Sequence, residues 1–381
     1  MTFCFFAAQY LPTVGGVERY TFNLARTLIQ SGHKAIVVTS ALPGLPAVET
    51  DENGICIYRF PCYALFSGRM PSVKKNAAFR RMAAQLAQQH MDFGVIQTRL
   101  YTLSAFGAKL RHKKGVPCLT IDHSTSHIAF GGAVVSFAGR LYEHWNTARI
   151  KRCCNTFYGV SAACGEWLRH FGIEACGALY NSVEPAQLEQ AVAESKRDFR
   201  QGVPQGTFVV SFAGRLVKEK GVLKLIEAVN TLAQNGVNIC LLVAGDGALM
   251  PQAQALAGRA VQFLGSLPHS DTMMLLAQSD VYCLPTDYPE GLPTGVLEAA
   301  ALSCFVVTTT RGGSKELITA EDMGIILTEN TSRTLAEALQ KAMDKPYRLA
   351  AAQKTKQRLL ADFTWAATAA KLAEAAQQTQ K

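Results

Sequence analysis

The sequence predicts an α/β chain of two domains, each a largely parallel sheet wound with helices. Three observations carry this. Short apolar runs rich in β-branched and aromatic residues recur along the chain, each leading into a loop and then a helical apolar pattern. The 381 residues exceed the roughly 250–300 at which a single core stops growing. The composition, 49% hydrophobic and 18% charged, supplies apolar material for two cores.

Phe3-Cys4-Phe5-Phe6-Ala7-Ala8 reads as the first strand and lacks the basic lead-in of a signal peptide. A Gly15-Gly16 turn follows, then a helix from about Val17 to Gln30 with Tyr20, Leu24, Thr27 and Leu28 on one side. It closes at Ser31-Gly32, and Lys34–Thr39 forms the next strand. This opening lacks G-x-G-x-x-G, and the chain lacks G-x-x-x-x-G-K-[ST], which argues against dinucleotide and P-loop sites. Residues 41–72 read as irregular, with Pro43, Pro46, Pro61 and Pro71 and a short strand near Gly54–Phe60.

Val73–His90 is predicted helical, with Phe79, Met82, Ala83 and Leu86 on one face. The strand Cys118–Ile121 delivers Asp122-His123-Ser124-Thr125-Ser126-His127 to its C-terminal end, the edge where open α/β sheets bind ligands. The apolar stretch Ala129–Ala138 is too short to cross a bilayer. Helices around Leu141–Arg152, a strand Thr156–Val160, a helix through Leu168 and the run Tyr180-Asn181-Ser182-Val183-Glu184 complete the first half.

Residues 184–206 read as a linker, polar and helical in part. Phe208–Ala213 is then a strand, followed by Gly214-Arg215-Leu216-Val217-Lys218-Glu219-Lys220-Gly221 and a helix Val222–Ala233. Two cations five residues apart around a glycine loop suit a pyrophosphate gripped by a guanidinium and an ammonium. Ile239–Ala244 with Gly245-Asp246-Gly247, Val261–Gly265, the helix Asp271–Ala277 and the strand Val281–Pro285 continue the alternation. Thr286–Ala301, TDYPEGLPTGVLEAAA, is a loop leading into a helix that opens near Thr294. Such a helix N-terminus attracts anions, and Glu290 and Glu298 bracket it with seven residues between them. Phe305–Thr309 is a further strand, and the chain is largely helical from Ser332 onward.

The net charge of +9 is uneven: residues 1–183 hold 19 Lys+Arg against 9 Asp+Glu, and the remainder 19 against 20. Arg69, Lys74, Lys75, Arg80 and Arg81 form one basic cluster, and Arg111, His112, Lys113 and Lys114 another. A basic half without a recognition-helix pattern or aromatic-interleaved basic strand points to an anionic membrane surface or phosphate-linked acceptor; nucleic acid is not expected. The eleven cysteines show no C-x-x-C pair and no Cys/His grouping at zinc spacing. They read as buried thiols of a cytoplasmic protein, peripheral on the inner face of the plasma membrane.

The Glu290/Glu298 spacing with its Glu-Gly-Leu-Pro-Thr run, the Gly-Arg-Leu…Lys-Gly run at 214–221 and the Gly15-Gly16 turn resemble retaining nucleotide-sugar glycosyltransferases of family 4, which carry an E-x7-E signature. The resemblance covers nearly the whole chain. It implies the GT-B fold: two Rossmann-like domains facing across a cleft, the C-terminal helix crossing back near Phe363-Thr364-Trp365. Residues 1–183, with about 365–381, would bind the acceptor and residues 184–364 the donor.

The same resemblance implies donor contacts from Gly15, Gly16, Gly214, Arg215, Lys220, Gly245, Leu264, Pro293, Thr294 and Gly295. Arg215 and Lys220 would hold the diphosphate, Glu290 the sugar hydroxyls, Glu298 the ribose and His123 the reacting ring, while His127 and Asn181 are secondary, acceptor-side candidates. His123, Glu290, Arg215 and Lys220 form the implied catalytic set. No D-x-D element is placed to bridge phosphates through a metal, so metal independence is expected. The implied reaction moves a hexose-type sugar, from a UDP-sugar by preference, to a glycan or lipid-linked hydroxyl in bacterial-type surface polysaccharide synthesis. A GDP-mannose-dependent mannosyltransferase, a nucleotide-sugar epimerase and a non-catalytic carbohydrate- or lipid-binding module are the alternatives.

Overall fold

The computed structural model describes residues 1–13, 15–66, 68–128 and 132–380. In chain order the elements are β1 (Thr2–Phe6), α1 (Gly16–Gln30), β2 (Lys34–Ser40), β3 (Val48–Thr50), β4 (Cys56–Phe60), β5 (Cys62–Leu65) and β6 (Met70–Val73). There follow α2 (Ala77–Gln88), β7 (Phe93–Gln97), α3 (Thr102–Lys113), β8 (Cys118–Asp122), α4 (Ala133–Lys151), β9 (Phe157–Gly159), α5 (Ala162–Leu168) and α6 (Pro185–Glu194). Next come β10 (Phe208–Ala213), α7 (Val222–Gln234), β11 (Ile239–Ala244), α8 (Met250–Leu256), β12 (Val261–Gly265), α9 (His269–Gln278) and β13 (Val281–Leu284). The last are α10 (Thr294–Ala301), β14 (Phe305–Thr309), α11 (Ser314–Leu317), β15 (Ile325–Leu327), α12 (Ser332–Ala342), α13 (Lys345–Asp362) and α14 (Trp365–Gln380).

The chain divides into one unit of residues 1–181 with 365–381 and a second of residues 182–364. The first holds a seven-stranded sheet ordered β3-β4-β2-β1-β7-β8-β9, parallel apart from the β3–β4 pair. At its centre β1 is buried throughout. Because side chains alternate across a strand, Phe3 and Phe5 enter one core with Tyr20, Leu24 and Leu28 of α1. Cys4 and Phe6 enter the other, with Phe79, Leu86 and Leu103. Trp365, Ala369, Leu372 and Ala376 of α14 join the first core at helical spacing.

The second unit is a six-stranded, all-parallel sheet ordered β12-β11-β10-β13-β14-β15. The α/β class with two parallel sheets is the one predicted, and most second-half strands match within a residue. Three expectations need correction. Residues 70–73 belong to the β5–β6 hairpin, so α2 starts only at Ala77, where Asn76 caps it by accepting the Phe79 N–H. The expected helical part of the linker is α6, which packs on α9, and Ser195 beyond it donates its hydroxyl to Asp271 at 2.8 Å. Arg111 is wholly buried with Nη1 2.8 Å from Met91 Sδ, because its position on α3 faces the sheet together with Ser104 and Ala108. That leaves His112, Lys113 and Lys114 as the exposed part of the second basic cluster. Helix α4 begins earlier than expected, at Ala133, and residues 129–131 of the apolar stretch lie outside the described residues. No helix among the described residues is long and apolar enough to cross a membrane.

Candidate functional site

In the second unit, strands are added outward from β10 first on one side, through β11 and β12, and then on the other, from β13 to β15. Open α/β sheets bind ligands beyond the strand C-termini at such a reversal. The loop after β10 and the loop after β13 meet there. The Glu219 carbonyl accepts N–H groups of Asp287 at 2.6 Å and Tyr288 at 3.2 Å, and the Thr286 hydroxyl at 3.2 Å. Gly221, at φ +73°, allows the approach, since a Cβ there would collide with the Pro285 carbonyl. Gly245, at φ +130°, presses on the Gly214 carbonyl in the same way and donates its N–H to Gly265 at 2.7 Å.

Side chains then gather on this backbone. Lys220 Nζ pairs with the Glu290 carboxylate, and only 16% and 15% of those side chains are exposed. The Thr286 hydroxyl reaches the same carboxylate at 3.4 Å. Arg215 is exposed on the β10 loop and forms no ion pair among the described residues. Pro293 precedes α10 without a side-chain cap, Thr294 is exposed, and Gly295 lies against the Tyr282 hydroxyl, which donates to the Ala213 carbonyl at 3.3 Å. Burial holds the Tyr282 phenol protonated, reinforced by the nearby carboxylates of Glu298 and Glu290. Both bracketing glutamates therefore border one buried phenol. Leu264 packs beside the core of Phe199 and Leu242. An exposed guanidinium, a paired ammonium and a helix N-terminus make this edge suited to an anion.

In the first unit, Gly15 is the extended residue before α1 and Gly16 opens that helix, with space around it. A Cβ at Gly15 would strike the Glu18 carboxyl, which is buried and has its pKa raised by burial. His123 follows β8, its Nε2 2.8 Å from Gln97 Oε1 and its ring edge-on to Tyr20 at 4.8 Å. Since that oxygen accepts, Nε2 carries the proton and Nδ1 keeps its lone pair. His127 turns to different partners, with Nδ1 2.9 Å from Glu143. Asn181 ends the unit's main segment and donates its backbone N–H to Val160 at 3.3 Å.

Burial lowers the His123 pKa from about 6.5 to about 3. The folded imidazole is thus neutral at physiological pH. Below about pH 6.5 the unfolded chain takes up a proton that the folded site refuses, so this contribution to stability is lost as pH falls toward 3. The expected result is a His123 ring resonance that does not titrate between pH 8 and about 5; an inflection near 6.5 would contradict it.

Several supporting residues carry no signal in the sequence. Arg99 is buried and bridges Asp122 at 3.1 Å and Glu143 at 3.3 Å, its guanidinium lying over Phe171 at 3.6 Å. Thr98 before it sits at φ +57°, a left-handed conformation unusual for a β-branched residue. Tyr282 and Gln97 are equally unmarked, and Tyr20 reads only as one of the residues on the packed side of its helix. Only Asp122, adjacent to His123, lay within a run already singled out. A cavity of about 320 Å³ opens beside the β1 loop, lined among others by Tyr10, Leu42, Tyr63 and Arg69.

Residues 14–187 match the family model for glycosyltransferase family 4, and residues 194–359 match the model for glycosyl transferases group 1. The Saccharomyces cerevisiae GPI3 subunit of phosphatidylinositol N-acetylglucosaminyltransferase is 24% identical over 88% of this chain and 73% of its own length. A Mycobacterium tuberculosis glycogen synthase is 25% identical over 96% of this chain and 92% of its own length. Among solved structures, Anabaena HepE in complex with UDP superposes with TM-score 0.73 at 19% identity, covering 99% of both chains. The same protein with UDP-glucose gives 0.70, covering 99% of this chain and 100% of its own.

Proposed function

Because the chain belongs to the group 1 and family 4 glycosyltransferases, hexosyltransferases that use nucleotide-sugar donors, we propose that it transfers a hexose from a UDP-sugar with retention of anomeric configuration. The observation that carries this is the meeting, at the strand reversal of the second unit, of Arg215, the Lys220–Glu290 pair and the start of α10. The uridine donor is favoured because HepE, which shares this fold, is described with UDP and UDP-glucose.

In this reading residues 184–364 hold the donor. Departure of the nucleoside diphosphate loads negative charge onto the β-phosphate, and Arg215, Lys220 and the backbone N–H groups of Thr294 and Gly295 meet it with fixed positive charge and dipoles. The diphosphate competes with Glu290 for Lys220, which turns the carboxylate toward the sugar hydroxyls. Glu298 takes the ribose, with the Gly245 turn and the backbone at Leu264 beside the nucleoside. His123 offers a neutral imidazole for the sugar. The departing phosphate oxygen removes the acceptor proton on the face it leaves, so configuration is kept. Incubation with labelled UDP-sugars tests this: transfer or slow hydrolysis supports it, whereas epimer exchange, or no turnover with any donor, overturns it.

The first unit takes the acceptor, a glycan or lipid-linked hydroxyl of surface-polysaccharide type. The cavity beside the loop after β1 pairs apolar walls with Arg69, a combination suited to an amphipathic anionic acceptor. Beside it the β5–β6 hairpin exposes Tyr63, Leu65 and Phe66, and Arg69, Lys74 and Lys75 are exposed at its base. Apolar tips among cations suit the interface of an anionic bilayer, each cation contributing about 1 kcal/mol. Flotation on anionic vesicles is expected, and Lys74→Glu with Lys75→Glu should weaken it at least about tenfold. Equal recovery on neutral vesicles would contradict this contact.

A further inference from the structure

Three histidines distant in sequence converge on one spot of the first unit. His127 lies in the loop after β8, His144 on α4 and His170 in the 3₁₀ turn Arg169–Phe171 after α5. One ring nitrogen from each lies within 4.8 Å of the others, and Nε2 of His127 and Nε2 of His170 are 3.1 Å apart. Two nitrogens bound at about 2.0–2.1 Å to a tetrahedral zinc ion are about 3.3 Å apart, so this pair already has the bite of a chelate. His144 and His170 are exposed, which leaves their rings room to close on an ion.

A carboxylate stands behind the cluster. His127 Nδ1 donates to Glu143 Oε2 at 2.9 Å, and Glu143 is itself buried, held by Arg99 at 3.3 Å and by the Ile128 N–H at 3.0 Å. A proton fixed on Nδ1 turns the Nε2 lone pair toward the other two rings. Metal-bound histidines repeatedly have this arrangement, in which a carboxylate fixes tautomer and ring angle. Aromatic packing explains part of the cluster, since Trp167 stacks on His170 at 4.8 Å. Stacking requires no particular direction of the ring nitrogens, however, and does not account for three of them meeting.

We propose that His127, His144 and His170 bind one divalent transition-metal ion of the zinc class, with Glu143 orienting His127 and water completing the tetrahedron. The ion ties together the loop after β8, α4 and the turn after α5, and so steadies the loop that begins at His123. None of its ligands is among the residues assigned to the diphosphate. The spacings of 17 and 26 residues between the histidines match no zinc motif, which is why the sequence conceals the site.

Titration of the EDTA-stripped full chain with Co²⁺ tests this. One ion per chain is expected, with the intense visible absorption of a tetrahedral centre, displaced by one equivalent of Zn²⁺. His144→Ala and His170→Ala, both at exposed positions, should each weaken binding at least about tenfold, while the exposed His112→Ala leaves it unchanged. A stoichiometric band that survives the His144→Ala/His170→Ala double variant would place the ion elsewhere. Absence of any saturable band would leave the histidines a stacked aromatic cluster. Either result overturns the proposal.

Discussion

Replacing Arg215 with Ala is expected to lower kcat by roughly a hundredfold or more, about 3 kcal/mol of transition-state stabilisation, with little change in melting temperature. The separation of the two effects follows from the structure. Arg215 is exposed and forms no ion pair among the described residues, so its loss removes no partner from the folded protein. Its charge can matter only when an anion arrives. Arg215→Lys should recover part of the rate but not all, since an ammonium offers no planar fork to two phosphate oxygens. Near-normal turnover in Arg215→Ala would remove this residue from the leaving-group site.

Gly221→Ala acts through the backbone and is expected to reduce both stability and activity. An L-residue at φ +73° costs about 1 kcal/mol. The added methyl also collides with the Pro285 carbonyl, an overpacking worth about 1–3 kcal/mol more. Together these should lower Tm by roughly 5–10 °C. Because the collision parts the loops that carry Lys220 and Glu290, donor binding should fail with it. Gly236→Ala is the control: at φ +82° it has open space around it, so only the conformational cost remains. Equal effects from the two substitutions would show that the loop contact is unimportant.

The extent to which this protein was legible before its structure depended on how local each feature is. Strands such as Phe208–Ala213, Ile239–Ala244 and Phe305–Thr309 are compact apolar runs closed by glycine or polar residues, and their bounds were found to the residue. The loops at 214–221 and 286–295 were legible too, since glycine, proline and charge mark strand-to-helix junctions. Contacts made by strand order were not. The Lys220–Glu290 pair joins positions 70 residues apart, and they meet only because β13 is laid beside β10. Arg111 read as a surface cation among Lys113 and Lys114, because charge gives no warning that one helical position faces the sheet. The β5–β6 hairpin was missed for a different reason: prolines at 61 and 71 favour edge strands as readily as irregular chain.

Stability measured against UDP, GDP and ADP tests the diphosphate site most directly, since a ligand bound to the native state raises its melting temperature. The expected result is a concentration-dependent rise with UDP that exceeds the other two and is largely lost in Arg215→Ala. If none of the nucleotides shifts the wild-type transition, or if the variant responds as fully as the wild type, the cations and amides at the β10–β13 reversal do not hold a leaving diphosphate.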